Sequence, residues 1–373
     1  MEALLLALWK HIPRHIDEST AEEIGALMYD LQTRSGAHTD IWKLADCVAC
    51  VAHRKHQRAI MLELCKIPVL EQRSPEWHAM RTTLLTASDL GQCLGKGKFG
   101  TRLDLLRKKV GGGGAFLSGS SPPLKWGTMY EAVGLRCYRA RQNWIGVQEF
   151  GLLQHPNLKV FGASPDGITD LGVMVELKCP YRRVKVVGEM PEQYSLQIQG
   201  QLEVCNLDDC DYVECYLEEF RDEPDYVSSI GAMNEAVDHG AVLEFTVEGK
   251  GVNEWGASTE LMYEYSPDEL EQTEDVIEWV NERAQTLHLQ RPELHLTKIH
   301  YWRLKDIQLI RVRRDRALFA EVSPKIQAFW DEVVGARIDP TLIPDKVVRE
   351  KRVLRVVDDT KTTKTKFMFK DDE

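Results

Sequence analysis

No stretch of this chain approaches the ~20 consecutive apolar residues that a membrane helix takes, so a spanning segment is not expected. Basic residues are missing ahead of the short apolar run at 4–9, which follows Glu2, and a secretory signal is therefore not expected either. The nine cysteines are scattered and odd in number and form no disulfide framework. A soluble, intracellular protein of a reducing compartment, with free thiols, follows as the expectation. There is no internal repeat, which excludes a solenoid. Basic residues are scarce in one region only. Between 223 and 293, 17 Asp and Glu face just Lys250, Arg283 and Arg291. Outside that segment 44 basic and 41 acidic residues remain, a net of +3 against −11 for the whole chain. The acidity belongs to one segment, so it says little against a nucleic-acid partner.

What is present centres on residues 161–180, FGASPDGITDLGVMVELKCP. The run 173–179 alternates as a strand, with Val173, Val175, Leu177 and Cys179 on one face and Met174, Glu176 and Lys178 on the other. Asp166-Gly167 and residues 170–172 are rich in turn formers, and a hairpin there returns Asp166 beside Glu176. Two carboxylates held together are costly. A divalent cation relieves that cost: Mg²⁺ takes carboxylate oxygens and leaves positions for water and phosphate. Lys178 on the same face suits an anionic nucleophile. The plainer alternative is a surface hairpin with an i, i+2 ion pair.

Upstream, residues 1–66 read as a helical module. Ser19 and Thr20 open capping boxes for a helix to about residue 32, and Thr39 or Asp40 caps a second that Pro68 ends. Cys47, Cys50, His53 and His56 fall three apart, which spreads them over half a helix circumference, so they do not close a zinc tetrahedron. Buried helical cysteines are the expectation. Ser74 caps a helix starting at Pro75, with Arg81 near its end, and the string 86–89 opens another. Helix starts with hydroxyls beside an arginine hold phosphate; plain capping is the alternative. Residues 96–109 carry a basic run suited to a DNA backbone or to a solvated face, and 111–123 form a Gly/Ser/Pro linker.

A helix over 125–138 carries Glu131, with Gly127 expected to admit a close backbone neighbour. Strands are expected at 147–153 and 158–163, then a helix from 191 to about 205 with Gln193, Gln197 and Gln201 in one line. A strand at 211–220 follows. The acidic segment contains a helix from 266 to about 287 and interrupts the sheet. A hairpin turns at Lys305-Asp306 between 299–304 and 307–313, and a helix covers 316–334. The domain reading is a helical module (1–66), a core (67–335) with an acidic insertion at about 223–297, and a charged tail (336–373) whose TKTTKTK stretch is expected to be disordered.

Five motifs in this order resemble the phage lambda exonuclease and YqaJ-type viral recombinase family of PD-(D/E)XK nucleases. They are Trp77-His78-Ala79-Met80-Arg81 with Leu85-Thr86-Ala87-Ser88; Trp126-Gly127-Thr128-Met129-Tyr130-Glu131; Ser164-Pro165-Asp166-Gly167; Glu176-Leu177-Lys178-Cys179-Pro180; and Gln197-Ile198-Gln199. The resemblance covers about 71–220, resumes weakly at 299–334, and leaves out the first 66 residues, the insertion and the tail. It implies an α/β (α+β), restriction-endonuclease-like core: a central mixed β-sheet flanked by helices, with the N-terminal helical module added.

The resemblance also implies roles. Asp166 and Glu176 resemble the metal-binding carboxylates, joined by Glu131 and the Leu177 carbonyl. Lys178 resembles the catalytic lysine and Gln197 the supporting glutamine. Arg81, Ser88 and Ser164 match a 5′-phosphate pocket. One or two Mg²⁺ (or Mn²⁺) ions, about 4 Å apart if two, are implied. The implied activity is 5′→3′ digestion of double-stranded DNA ends to 3′ single strands, in a virus or phage, within the cytoplasm or nucleus of the infected cell. A single-strand annealing protein and a homo-oligomer are the implied partners, and no membrane is. A structure-specific or single-strand nuclease on the same fold is the alternative enzyme. A catalytically inactive DNA-end-binding protein is the other, and the intact acid–lysine set speaks against it.

Overall fold

A computed structural model describes residues 41–68, 74–98, 100–111, 121–142, 144–233, 238–248 and 261–344, with side chains from residue 53 onward. The helix expected at 19–32, the side chains of Cys47 and Cys50, the linker's centre and the TKTTKTK stretch lie outside what is described.

The sheet is built outward from the central hairpin. Strand β5 (Gly167–Thr169) turns back through Gly172, at φ +71°, into β6 (Met174–Lys178), with Gly167 paired to Val175. Extending that register sets Asp166 opposite Glu176, as the sequence predicts. β6 runs parallel to β7 (Asp209–Glu219), and helix α6 (Glu192–Cys205) makes the crossover between them. This is a βαβ unit, the connection a parallel pair requires. β6 is shorter than expected and is buried on both faces. Met174 joins a core with Ile198 and Leu202 of α6. Val175 and Leu177 join another with Met129, Tyr130 and Val133 of α5 (Pro122–Arg141). The half-exposed alternation read from the sequence therefore becomes a strand clamped between two helices.

One glycine expectation changes. A Cβ at Gly127 would meet nothing within 4 Å. The close approach is at Gly134, where a Cβ would lie 2.7 Å from Leu177 Cδ2, so Gly134 is what lets α5 lie down on β6.

The expected strands at 147–153 and 158–163 shrink to β2 (Val147–Gln148), β3 (Leu153–Gln154) and β4 (Phe161–Ala163). The chain changes sheets there. β2 pairs with β5, while β3 and β4 pair with each other, and β4 pairs with β1 (Leu85–Thr86) in a small second sheet. The hairpin expected at Lys305-Asp306 does not form either. Residues Leu294–Arg313 are one 20-residue strand, β10, with a bulge between Leu304 and Asp306. The polar Lys-Asp pair marks the bulge, and the chain continues straight through.

The acidic segment extends the sheet instead of interrupting it. Strands β8 (His239–Val247) and β9 (Leu261–Tyr265) add beside β10, giving the order β2-β5-β6-β7-β10-β8-β9. Its long helix, Thr273–Gln290, begins later than expected, because residues 266–272 after the strand at 261–265 form a turn and loop. The result is the expected mixed α/β architecture, a mixed sheet flanked by helices. No helix among the described residues is long and apolar enough to cross a membrane.

Candidate active site

Glu176 sits on the α6 side of β6 and is fully buried. A buried carboxylate needs donors on both oxygens, and α6 supplies them. Gln197 Nε2 donates to Oε1 at 2.6 Å, and one turn later Gln201 Nε2 donates to Oε2 at 2.7 Å. Lys178 Nζ also donates to Oε1, forming an ion pair two residues along the same strand face. Two members of the glutamine line thus face the hairpin and not solvent. The sequence places Gln201 in the glutamine line but assigns it no role at this centre. Its place one turn after Gln197 was the available signal, and its Oε1 is buried without a partner.

Asp166 accepts a 2.7 Å hydrogen bond from the Leu177 backbone N–H, which ties the loop before β5 to β6. Burial, and next the Glu176 carboxylate, push Asp166 well above the usual carboxylate range; Lys178 pulls it down and Glu131 pushes it further up. Glu131, on α5, therefore belongs to the same electrostatic neighbourhood. For Lys178, burial disfavours the ammonium, but Glu176 and then Asp166 outweigh it and hold the side chain charged. The Tyr194 ring flanks its Nζ at 5.2 Å. Among the described residues no three Asp, Glu, His or Cys side chains form a complete metal-ligand cluster.

Arg81, Ser88 and Ser164 come together with this centre. They line a pocket of about 200 Å³ whose wall also includes Asp166, Gln197 and Gln201. The helix α2 (Pro75–Thr82), capped by Ser74, carries Trp77 and Arg81 one turn apart. The Arg81 guanidinium lies 4.4 Å from the Trp77 ring centroid, and the Trp77 indole N–H donates to Ser164 Oγ at 3.2 Å. Arg81 also reaches Ser88 Oγ at 3.4 Å and Thr86 Oγ1 at 3.5 Å, both long contacts. Burial lowers its pKa, partly countered by Asp89. Asp89 is the counter-charge beneath the pocket. Thr86 donates to it at 2.8 Å, and Lys109 Nζ lies at 2.9 Å. Lys109, from the expected basic run, is buried: it bonds the Arg81 and Leu84 carbonyls at 3.1 and 2.7 Å. It props the pocket floor and does not face a DNA backbone.

His53, one of the four residues with zinc-like spacing, is bound to Asp209 at 3.0 Å instead. Helix α1 (Ile41–Leu64) uses it, with Arg54, to pin itself at the start of β7.

Residues 76–208 match the YqaJ-like viral recombinase domain. An uncharacterized protein of Acanthamoeba polyphaga mimivirus is 28% identical over 299 residues, which cover 73% of this chain and 54% of that protein. The chain thus spans about half the length of this curated relative. Among solved structures, the alkaline exonuclease LHK-Exo from Laribacter hongkongensis is similar at TM-score 0.40 and 20% identity, over 72% of this chain and 96% of that one. A phage related exonuclease from Haemophilus somnus is similar at TM-score 0.36 and 11% identity, over 68% and 95%. Residues 76–208 are thus similar to the YqaJ-like viral recombinase domain, and the rest of the chain lies outside that match.

Proposed function

We propose that this protein is a Mg²⁺-dependent exonuclease that digests double-stranded DNA from 5′ ends and leaves 3′ single strands. The observation that carries this reading is the shared wall. A pocket with a half-buried guanidinium and serine hydroxyls opens onto Asp166, Gln197 and Gln201. A terminal 5′-phosphate in that pocket places the next phosphodiester toward the acid–lysine centre, which gives the cutting its polarity.

The donor set fits a hard divalent cation. Asp166 and Glu176 are oxygen donors, and the raised Asp166 marks a charge that a cation would relieve. Asp166 and Glu176, with Glu131 and the Leu177 carbonyl, are the residues to hold it. Incomplete protein ligation is what Mg²⁺ takes, because substrate phosphate and water fill its remaining positions. When bound, the ion supplies charge neutralisation at the phosphate and a more acidic water.

This chain's residues do the rest. Arg81, Ser88 and Ser164 hold the terminal phosphate and fix the register. Gln197 and Gln201 lock both Glu176 oxygens so that the carboxylate does not rotate. Lys178, held as ammonium, steadies the attacking hydroxide and the charge that develops on phosphorus. No covalent enzyme intermediate is required.

Linear duplex should be hydrolysed in Mg²⁺ and spared in EDTA, with covalently closed circles resistant throughout. Equal cutting of closed circles would overturn the exonuclease reading. A single-strand annealing protein remains the partner to test with the digested product.

A further inference from the structure

Helix α2 ends at Thr82, one residue after Arg81. A helix leaves its last carbonyls without intrahelical donors, and here cations from other elements supply them. Lys109 Nζ takes the Arg81 and Leu84 carbonyls. The Thr82 carbonyl between them goes to Arg337, whose Nη2 donates at 2.7 Å.

The same guanidinium reaches a second helix end. Arg337 donates to the Lys109 carbonyl through Nη2 at 2.7 Å and Nε at 3.3 Å. Lys109 is the second-last residue of α4 (Arg102–Val110). One side chain thus joins the C-terminal ends of the two helices that carry Arg81 and Lys109. A cation suits that place, because the helix dipole leaves negative charge at a C-terminus. The Trp330 ring steadies the guanidinium, at 5.4 Å from its centroid.

Arg337 stands near the end of α9 (Arg316–Ile338), well beyond residue 208. Phe329, Trp330 and Val333 of α9 share a core with Leu105 and Leu106 of α4. Arg102 and Glu332 add a two-bond ion pair at 2.6 and 2.9 Å. That pair ties α9 to α4; the Arg337 fork ties α9 to both α4 and α2. An eight-residue helix such as α2 is far too short to be stable by itself, so the groups that bind its end decide where it lies. Arg81 depends on that placement, since its contacts to Ser88 and Thr86, at 3.4 and 3.5 Å, are long.

We infer that Arg337 is a positioning residue for the 5′-phosphate pocket, a role that rests on the exonuclease reading above. With Lys109 it fixes the end of α2, and so the point from which Arg81 reaches a terminal phosphate. The preference for a phosphorylated end is therefore set in part from the last long helix of the chain, through backbone carbonyls and without contact to DNA.

The test compares wild type with Arg337→Gln and Glu332→Gln. Both positions are exposed, so neither change opens a cavity in the core. Binding of blunt duplexes with a 5′-phosphate or a 5′-hydroxyl is followed by fluorescence anisotropy in Ca²⁺, and cutting of the same duplexes in Mg²⁺. Wild type should favour the phosphorylated end in both. Arg337→Gln should reduce that preference about threefold or more, through a higher KM on phosphorylated ends, and hold the rate on hydroxyl ends within about twofold. Glu332→Gln, which loosens α9 on α4 and leaves the α2 contact in place, should keep the wild-type preference. Should Arg337→Gln not fold, Arg337→Lys carries the same test, since it keeps the charge and loses the fork that spans two carbonyls. An unchanged preference, an equal loss on both ends, or the same shift in Glu332→Gln would overturn the role, as would a wild type that binds both ends alike. If wild type cuts neither duplex in Mg²⁺, the exonuclease reading fails, and the anisotropy ratio still decides the role of Arg337.

Discussion

Two clusters of buried charge lie on this sheet, and their carboxylates shift in opposite directions. At one, His300 of β10 bridges Glu219 of β7 and Glu244 of β8 at 2.9 and 3.0 Å. Lys298 pairs with Glu219 at 3.1 Å, Lys125 of α5 with Glu244 at 2.7 Å, and Tyr130 donates to Glu219 at 2.9 Å. Burial works against these acids, but the hydrogen bonds from His300 outweigh it and hold both down to about 2. At the other, Asp166 is pushed up, by burial and by Glu176. The first cluster is closed and completes itself with protein cations. The second is short of positive charge. Buried charge alone does not mark a site; a deficit of counter-charge beside an open pocket does.

The sharpest way to break this contrast is to neutralise one member of each cluster. Asp166→Asn should reduce hydrolysis by about 10³-fold or more, while leaving the melting temperature equal or higher, since the charge it removes is disfavoured in the fold. A retained rate, or a large loss of stability, would place Asp166 with the structural acids.

His300→Ala should do the reverse. It leaves two buried carboxylates short of a partner and should cost about 3 kcal/mol in denaturant unfolding, while activity per folded molecule stays within a few-fold. An unchanged midpoint would remove the structural role given to this network.

A smaller effect separates the pocket from the centre. Arg81→Ala should erase about tenfold of preference for a 5′-phosphorylated end, and spare hydrolysis of unphosphorylated ends. Competition between the two duplexes measures this, and an unaltered preference would move the phosphate site elsewhere.

The smallest effect is in pH. Glu219 and Glu244 lie below their usual 4.5, so their contribution is present above that value and is lost as pH falls toward about 2. Burial disfavours the His300 imidazolium, but the hydrogen bonds it donates to the Glu219 and Glu244 carboxylates outweigh that and raise it above 6.5, so its contribution is full below 6.5 and is lost as pH rises through the higher folded value. The stability difference between wild type and His300→Gln should therefore be largest between about 4.5 and 6.5. A difference that grows steadily to pH 9 would contradict this.

The site was more legible in the sequence than the fold around it. Asp166, Glu176 and Lys178 are close in the chain, and a two-residue period with a turn is enough to bring them together. Arg81, Ser88 and Ser164 came from matched motifs, because no local pattern ties residue 81 to residue 164. The sheet was harder. Residues 299–313 look like two strands because a bulge and a turn share polar residues, and only pairing with both β7 and β8 distinguishes them. Lys109 reads as a surface cation until Asp89 is seen beneath it. Gly127 and Gly134 are both helical glycines, and only the partner strand shows which one is needed.

The most direct test follows single ends. A linear duplex labelled at one 5′ terminus, with or without a 5′-phosphate, is incubated in Mg²⁺ with the full chain, and the labelled product is sized over time. The account predicts early release of labelled mononucleotide, faster from the phosphorylated end, while a label at the 3′ terminus stays on long single strands. Labelled fragments of internal length, or release from 3′ ends first, would contradict it.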